Sequence, residues 1–478
     1  MAGGAVGPGI ILDLSRMNAL GKIDRERSSV SAQPGVICRS VDDLARQAGL
    51  RFPVDPSSAA FCTVGGMIST NAAGPHSLKF GAMRRWVSSL DCVFADGSRA
   101  TIERGKTTPP NACVEEFVRR APAIREKWSQ ASADHARLRK DSSGYALARY
   151  FETGDLIDLL VGSEGTLAVI VAAELVLAPV AKRTTSFLAT FSSLESASQG
   201  AEAARNAGAS ACEMLDRTFL DLAASAPEST DDSRARARRS AAILLIEMED
   251  EKTAIGDAGA AALEQALKAA GADSVDVALT AASEKEVWDL RHAASPILSR
   301  LKNVISMQFV EDGVVPPERL PDYVRGVREA LARRGIQGVI FGHAGDAHVH
   351  VNPLIDVTLP SWRASMAALL DDVVGLTARL GGSLTGEHGD GRLRTPLMDR
   401  VWTEAAMAAF KEVKSCFDPA GTLNPGVKVP LTGETALAAI KYDPSLPSLP
   451  AGVRETLDDL VARRGYSDFR LSLLDRIS

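Results

Sequence analysis

Three of the chain's seven histidines fall within eight residues, in the stretch 338–353, GVIFGHAGDAHVHVNP. Imidazole titrates near neutrality and binds divalent metals, so His343, His348 and His350 on one short segment point to metal or acid–base chemistry. Apolar Val339, Ile340 and Phe341 run into Gly342-His343. Ala344-Gly345-Asp346 supplies turn residues, and the chain then alternates through His348, Val349, His350, Val351 and Asn352. That pattern predicts a β-hairpin. Strand side chains alternate faces, which puts His348, His350 and Asn352 on one side and Val349 and Val351 on the other. A second stretch, 381–391 (GGSLTGEHGDG), sets a carboxylate beside an imidazole at Glu387 and His388. Its glycines let backbone approach a ligand closely. Two imidazoles from the first stretch and the carboxylate from the second make a His, His, Glu site for a divalent metal, with His388 beside the metal and not needed as a ligand. A single strand histidine is more often an ordinary core or surface residue. A run of Gly, His, Asp and Asn without bulky apolar partners packs too poorly to be core.

The elements that must carry these residues are read in chain order. Residues 1–9 form a glycine-rich loop, with Ile10–Leu14 as a strand directly after it. A strand over 30–36, a helix over Ser40–Ala48 opened by Ser40 with Asp43, and a small-residue stretch at 63–74, TVGGMISTNAAG, follow. Backbone without bulk can press against a flat polyanionic cofactor and offer N–H groups to phosphates, and a tightly packed turn reads equally well there. A hairpin turns at Asp96-Gly97. KDSSGY (140–145) and VGSEGTL (161–167) lead into an apolar strand over 168–177. Beyond 178–185, strands at 186–191, 212–215 and 242–248 alternate with helices at 194–207 and 252–270, which predicts helices against an antiparallel sheet. Ser283 and Glu286 form a capping box for a helix carrying Trp288 and Arg291. Helices at 359–380 and 403–416 complete the pattern, and residues from Val427 read as a tail with one helix, 453–464, and no chemistry.

The chain has 478 residues, 45% hydrophobic and 24% charged, with a formal charge of -6. That length suggests two or three domains. The charge balance gives no basic footprint for nucleic acid. No P-loop and no strand-following G-x-G-x-x-G is present. No apolar run of about 18 residues occurs and the first residues lack signal-peptide regions, which predicts a cytoplasmic protein, with peripheral docking at the inner face of a membrane left open. The six cysteines form no Cys-x-x-Cys pair and read as reduced and structural.

Taken together, TVGGMISTNAAG with KFG (79–81), VGSEGTL, GHAGDAHVHVN, GEHGDG and FDPAGTLNPG (417–426) resemble, in order, the motifs of the FAD-linked oxidase family. That family includes D-lactate dehydrogenase, the glycolate oxidase flavin subunit and D-2-hydroxyglutarate dehydrogenase. The resemblance runs from Met1 to about Val429. It implies an α+β protein: an FAD-binding domain of the vanillyl-alcohol-oxidase type over 1–179, a substrate or cap domain of antiparallel sheet and helices over 180–380, a segment over 381–430 returning to the flavin, and a tail over 431–478. By position, Gly65, Gly66, Asn71, Gly74, Glu164, Gly165, Thr166 and Asn424 fall in its FAD-binding motifs. His343, His350 and Glu387 match its divalent metal ligands, zinc or manganese. His388 matches the catalytic base, and Arg291 and Asn352 match positions that grip or orient the substrate carboxylate. The expected reaction is FAD-dependent oxidation of a small D-2-hydroxy acid, with an electron-transfer protein or a quinone as acceptor.

Two departures stand out. Many members have Gly-Asn where this chain has Ala347-His348, so a third imidazole faces the site and bears on the choice of metal. The family's Gly-Gly-Gly-Thr-Ser pyrophosphate loop belongs before Gly3-Gly4, so the chain reads as an amino-truncated member holding the second half of the flavin domain. Two other readings compete. One is the family's non-redox branch, which exchanges an acyl for an alkyl chain on a glycerone phosphate; the other is an inactive or partner-dependent subunit.

Overall fold

The computed structural model describes residues 3–7, 9–107, 109–130, 138–224, 239–250, 256–278, 288, 304–438, 440 and 443–463. Four antiparallel strands, β1 (Ser29–Ala32), β2 (Val87–Val93), β3 (Arg99–Glu103) and β4 (Val169–Val176), form a first sheet in the spatial order β1-β4-β2-β3. The expected hairpin joins β2 to β3, with Gly97 at φ 81° in the turn. The small-residue stretch begins as a helix, α1 (Val64–Thr70). Thr63 caps it by accepting from Gly66 N, and Asn71 ends it in the left-handed conformation at φ 52°. Val64, Met67 and Ile68 turn into the core and Gly65 lies against Pro34, leaving Gly66, Ser69 and Thr70 on the open face.

Two expectations fail here. Ile10–Leu14 is not a strand, and Ile10 is 93% exposed. β-structure requires a hydrogen-bonding neighbour, which hydrophobicity alone does not supply. The helix expected from Ser40 runs over Cys38–Arg46 with no side-chain cap. The donation from Cys38 N to Cys62 O starts it two residues early, a tertiary contact overriding the capping signal.

The second sheet has eight strands: β5 (Arg183–Phe191), β6 (Ala211–Asp216), β7 (Ala242–Asp250), β8 (Ser274–Ala278), β9 (Ile305–Ser306), β10 (Gly313–Val314), β11 (Gln337–His343) and β12 (His348–Ile355). Their order is β8-β5-β7-β6-β11-β12-β9, with β10 also paired to β12, and these strands pair antiparallel. Helices α2 (Leu194–Asn206), α3 (Leu320–Arg333) and α4 (Trp362–Arg379) supply apolar faces to its core: Leu194, Val324, Val327, Leu369 and Val373 pack with Ile340, Val349 and Val351. Helix α5 (Glu404–Phe417) returns to the first core, where Phe410, Val413 and Phe417 join Phe117 and Leu90. Thr403 caps it through Ala406 N. The predicted helices at 252–270 and 453–464 appear as Gly256–Ala269 and Ala451–Arg463. The capping box at Ser283 and Glu286, Arg291, and most of the polar stretch 225–240 lie outside the described residues. Among the described residues no helix is long and apolar enough to cross a membrane. All six cysteines are free thiols.

Candidate active site

The hairpin forms as its alternation dictates. β11 and β12 pair so that His343 faces His348 and Phe341 faces His350. Val349 and Val351 are fully buried in the core beneath, and His348, His350 and Asn352 take the other face. Gly342 makes the bend: its φ is 149°, and a Cβ there would stand 2.8 Å from His348 O, a backbone atom that cannot swing away. Ala347 ends the turn in the left-handed region at φ 53°.

The ring nitrogens divide into two kinds. His343 Nδ1 donates to the buried Glu213 carboxylate, and His350 Nδ1 donates to Glu311 O at 3.1 Å. Their Nε2 atoms both point at Glu387 Oε1, at 3.3 and 3.5 Å. Each imidazole therefore spends Nδ1 on an acceptor and turns Nε2 toward a shared carboxylate, so that a bound cation would take the place of the Nε2 proton on His343, the arrangement in which histidines hold a metal. The donor set of two Nε2 atoms and one carboxylate oxygen fits a divalent cation of the zinc or manganese kind. Burial, and then the neighbouring His348, hold His350 well below its ordinary pKa, so it is neutral. Burial also pulls His343 down, but Glu213 overcomes it and raises that imidazole to about 9. Burial opposes the charge on Glu387, yet Lys140 and His343 keep the carboxyl well below the usual range.

Glu387 and His388 sit on an irregular loop held from several sides. Ser142 N donates to Thr385 O, Ser142 Oγ to Gly386 O, and Lys140 Nζ to Glu387 Oε2 at 3.1 Å. Gly386 is required because a Cβ would meet the His348 ring at 2.9 Å. The His388 ring stacks on His350, centroids 5.4 Å apart. His388 remains one-third exposed, with Nε2 3.9 Å from Glu387 Oε1. Burial depresses its pKa, and Asp312 and Glu311 reverse this into a net rise. Glu311 Oε2 and Asn352 Oδ1 are buried without a hydrogen-bond partner among the described residues.

The three stretches expected to meet a flavin are tied together. Gly162 N donates to Ile68 O and Glu164 N to Ser69 O, laying the 162–166 turn along α1. Asn424 Nδ2 donates to Glu164 O and to Gly4 O. The open face of α1 with Gly165, whose Cβ would meet nothing within 4 Å, is a strip without bulky side chains, which fits a flat cofactor. Individual residues differ in what they do there. Gly65 and Gly74 are glycines because a Cβ at either would stand 2.5 Å from Pro34 Cβ or 2.6 Å from the Asp55 backbone. Asn71 Oδ1 accepts from Arg84 N, and Thr166 is buried against Tyr145 Oη at 2.7 Å. The Glu164 carboxylate accepts from Asp390 N and Gly391 N, linking this strip to the loop that carries His388.

Five further residues belong to the assembly without a site role that sequence pattern assigns them: Glu213, Glu311, Asp312, Lys140 and Lys428. The reading of residues from Val427 as devoid of chemistry is corrected by Lys428, which is fully buried and bridges Glu164 at 2.9 Å and Asp390 at 3.0 Å. A buried lysine is the one local signal that could have exposed it, and burial is not legible in a loop sequence. The third imidazole, His348, spends both nitrogens, Nε2 toward Asp312 Oδ1 at 2.9 Å and Nδ1 toward Lys140 Nζ at 3.5 Å.

Residues 180–427 match the family described as FAD linked oxidases, C-terminal domain, and residues 1–103 match the FAD binding domain. The chain is 32% identical over 429 residues to the D-lactate dehydrogenase of Archaeoglobus fulgidus, covering 89% of this chain and 83% of that one. It is 28% identical over 421 residues to the glycolate oxidase subunit GlcD of Bacillus subtilis, covering 87% and 79%. Among solved structures, p-cresol methylhydroxylase with substrate bound superimposes at a TM-score of 0.62 over 88% of this chain and 80% of that chain, at 14% identity, a likeness of fold. With its two matched domains and these relatives, the chain belongs to the FAD-linked oxidases, as a member of their 2-hydroxy-acid dehydrogenase and oxidase group.

Proposed function

We propose that this chain oxidises a D-2-hydroxy acid of the lactate, glycolate or 2-hydroxyglutarate class to the 2-oxo acid. The observation that carries the reading is the convergence of His343 Nε2, His350 Nε2 and Glu387 Oε1, with His388 stacked beside them on a loop that Glu164 ties to the flavin-side turn. When bound, FAD supplies the acceptor for a hydride and the divalent metal supplies positive charge at the substrate hydroxyl.

His343, His350 and Glu387 would hold that metal, and Gly65, Gly66, Asn71, Gly74, Glu164, Gly165, Thr166 and Asn424 would line the flavin side. His388 takes the hydroxyl proton, on the nitrogen turned toward Glu387. A group with an imidazole's affinity for protons serves that role near neutral pH. The α-hydrogen leaves with its electron pair, so the substrate loses two electrons and two hydrogens in all. Arg291, through its forked donors, grips the carboxylate, and Asn352 orients it. Electrons then pass to an electron-transfer protein or a quinone.

The test is anaerobic. Purified protein is loaded with FAD and metal, and its flavin absorbance is followed on adding D-lactate, glycolate or D-2-hydroxyglutarate in turn. Bleaching by one of them is expected. Loaded protein that stays yellow with all three defeats the proposal.

A further inference from the structure

Asp312 makes more contacts to the His388 loop than any one contact requires. It immediately precedes β10 and is 1% exposed. Its Oδ2 accepts from His388 N at 2.8 Å, from Glu387 N at 3.2 Å and from Thr385 Oγ1. Its Oδ1 faces His388 Nδ1 at 3.4 Å and His348 Nε2 at 2.9 Å, and its carbonyl accepts from Gly386 N at 3.0 Å. One residue thus grips four consecutive residues of the loop, together with the ring that does the chemistry.

We infer that Asp312 is the positioning residue of His388: its carboxylate holds the loop's backbone and, beside Glu311, keeps the ring proton on Nδ1, which leaves Nε2 as the proton acceptor. This rests on the reading of His388 as the base. Glu311 Oε1 reaches His388 Nδ1 at the same 3.4 Å while also accepting from Arg394 Nη2 at 2.6 Å, so the two carboxylates share the ring and Asp312 holds the loop backbone beneath it as well. Asp312 could also join His350, Glu387 and His388 around a cation, since their donor atoms all lie within 4.8 Å of one another. The donors already surrounding both its oxygens argue for the positioning role, since a carboxylate with its lone pairs spent on N–H and O–H groups has little left for a metal. His348 braces Asp312 from behind, and Lys140 in turn engages the other nitrogen of His348.

Asp312→Asn is nearly isosteric and still accepts from the two backbone amides, but it turns a donor toward the imidazoles and carries no charge. With the FAD- and metal-loaded protein, flavin reduction should show kcat lowered by about a hundredfold, the scale of a base displaced by a fraction of its reach. KM, flavin content and metal content should stay at wild-type values. Wild-type kcat in the variant overturns the inference, as does loss of metal, which would make Asp312 a ligand. If Asp312→Asn does not accumulate folded, Thr385→Val removes one donor from Oδ2, and kcat should fall about tenfold at constant KM; an unchanged kcat there overturns it equally. A readout independent of turnover separates this inference from the proposed function. Nitrogen-15 NMR of histidine-labelled protein, assigned with His388→Gln, should show His388 as the Nδ1–H tautomer in the wild type and a mixture in Asp312→Asn. Wild-type protein that no hydroxy acid bleaches, yet shows this change, loses the functional reading and keeps the positioning. The same tautomer in both proteins removes the positioning.

Discussion

Glu387 Oε1 faces both His343 and His350, so in the proposed metal site its charge is what would hold the cation. Glu387→Gln keeps the side chain's shape and removes that charge, and bound metal should fall sharply, read by elemental analysis of the dialysed protein. Unchanged metal would sink the ligand assignment. Glu213 acts one bond further out, by fixing the His343 proton on Nδ1. Glu213→Gln should weaken metal affinity by about 10- to 100-fold without abolishing binding, measured by competition with a chelator. His388→Ala separates base from ligand. It should lower substrate reduction of the flavin by about a hundredfold or more, with metal retained; metal lost along with activity would make His388 a ligand.

At the scale of elements, the site depends on how three irregular segments are stitched together. Lys428, from the segment after α5, meets Glu164 from the turn beside α1 and Asp390 from the His388 loop. Burial disfavours the lysine's charge, but Asp390 and Glu164 raise its pKa, so it stays cationic where no water reaches it. Asp390 also accepts from Ser143 Oγ and Gly144 N, both at 2.8 Å, so the clamp extends into the KDSSGY stretch. Lys428→Met would leave two buried carboxylates facing each other without a counter-charge, a loss of about 3–5 kcal/mol for a broken buried pair. The apparent Tm should drop and flavin retention should fall with it. An unchanged melt would mean the clamp contributes nothing to stability.

The whole molecule has a second charged node where the two sheets' regions meet. His76 Nδ1 lies 2.5 Å from Asp55, and Nε2 lies 2.7 Å from Glu247 on β7. Both nitrogens donate to carboxylates, which makes the ring an imidazolium, and Glu249 stands 3.9 Å away. Arg51 and Lys79 pair with Glu249, and Trp288 stacks on the ring at 6.2 Å. Burial lowers the His76 pKa, but Asp55 and Glu247 raise it well above the ordinary value. A histidine whose folded pKa is raised gives stability that is complete below its unfolded pKa and is lost as pH rises through the folded one. The apparent Tm of the wild type should therefore decline from neutral toward alkaline pH, and His76→Gln should flatten that decline. Melts across a pH series check it, and identical slopes in the two proteins would rule the node out as their source.

The hairpin, its two faces and the Glu387-His388 pair were legible in the sequence because each is a local property. Side-chain alternation has a period of two, the turn residues sit between the strands, and the chemical groups are near neighbours along the chain. The order of motifs likewise carried the family and its cofactor. Capping at Ser40 and the strand at Ile10–Leu14 failed because a local pattern proposes an element and a neighbour decides it. What only the tertiary structure decided is which charge stands beside which: Glu213 reaches His343 across 130 residues, Asp312 reaches His388 across 76, and Lys140 reaches Glu387 across 247. A buried charge is tolerated only where its partner lies within a few ångströms. Sequence spacing does not encode that distance, and folding alone brings those partners together.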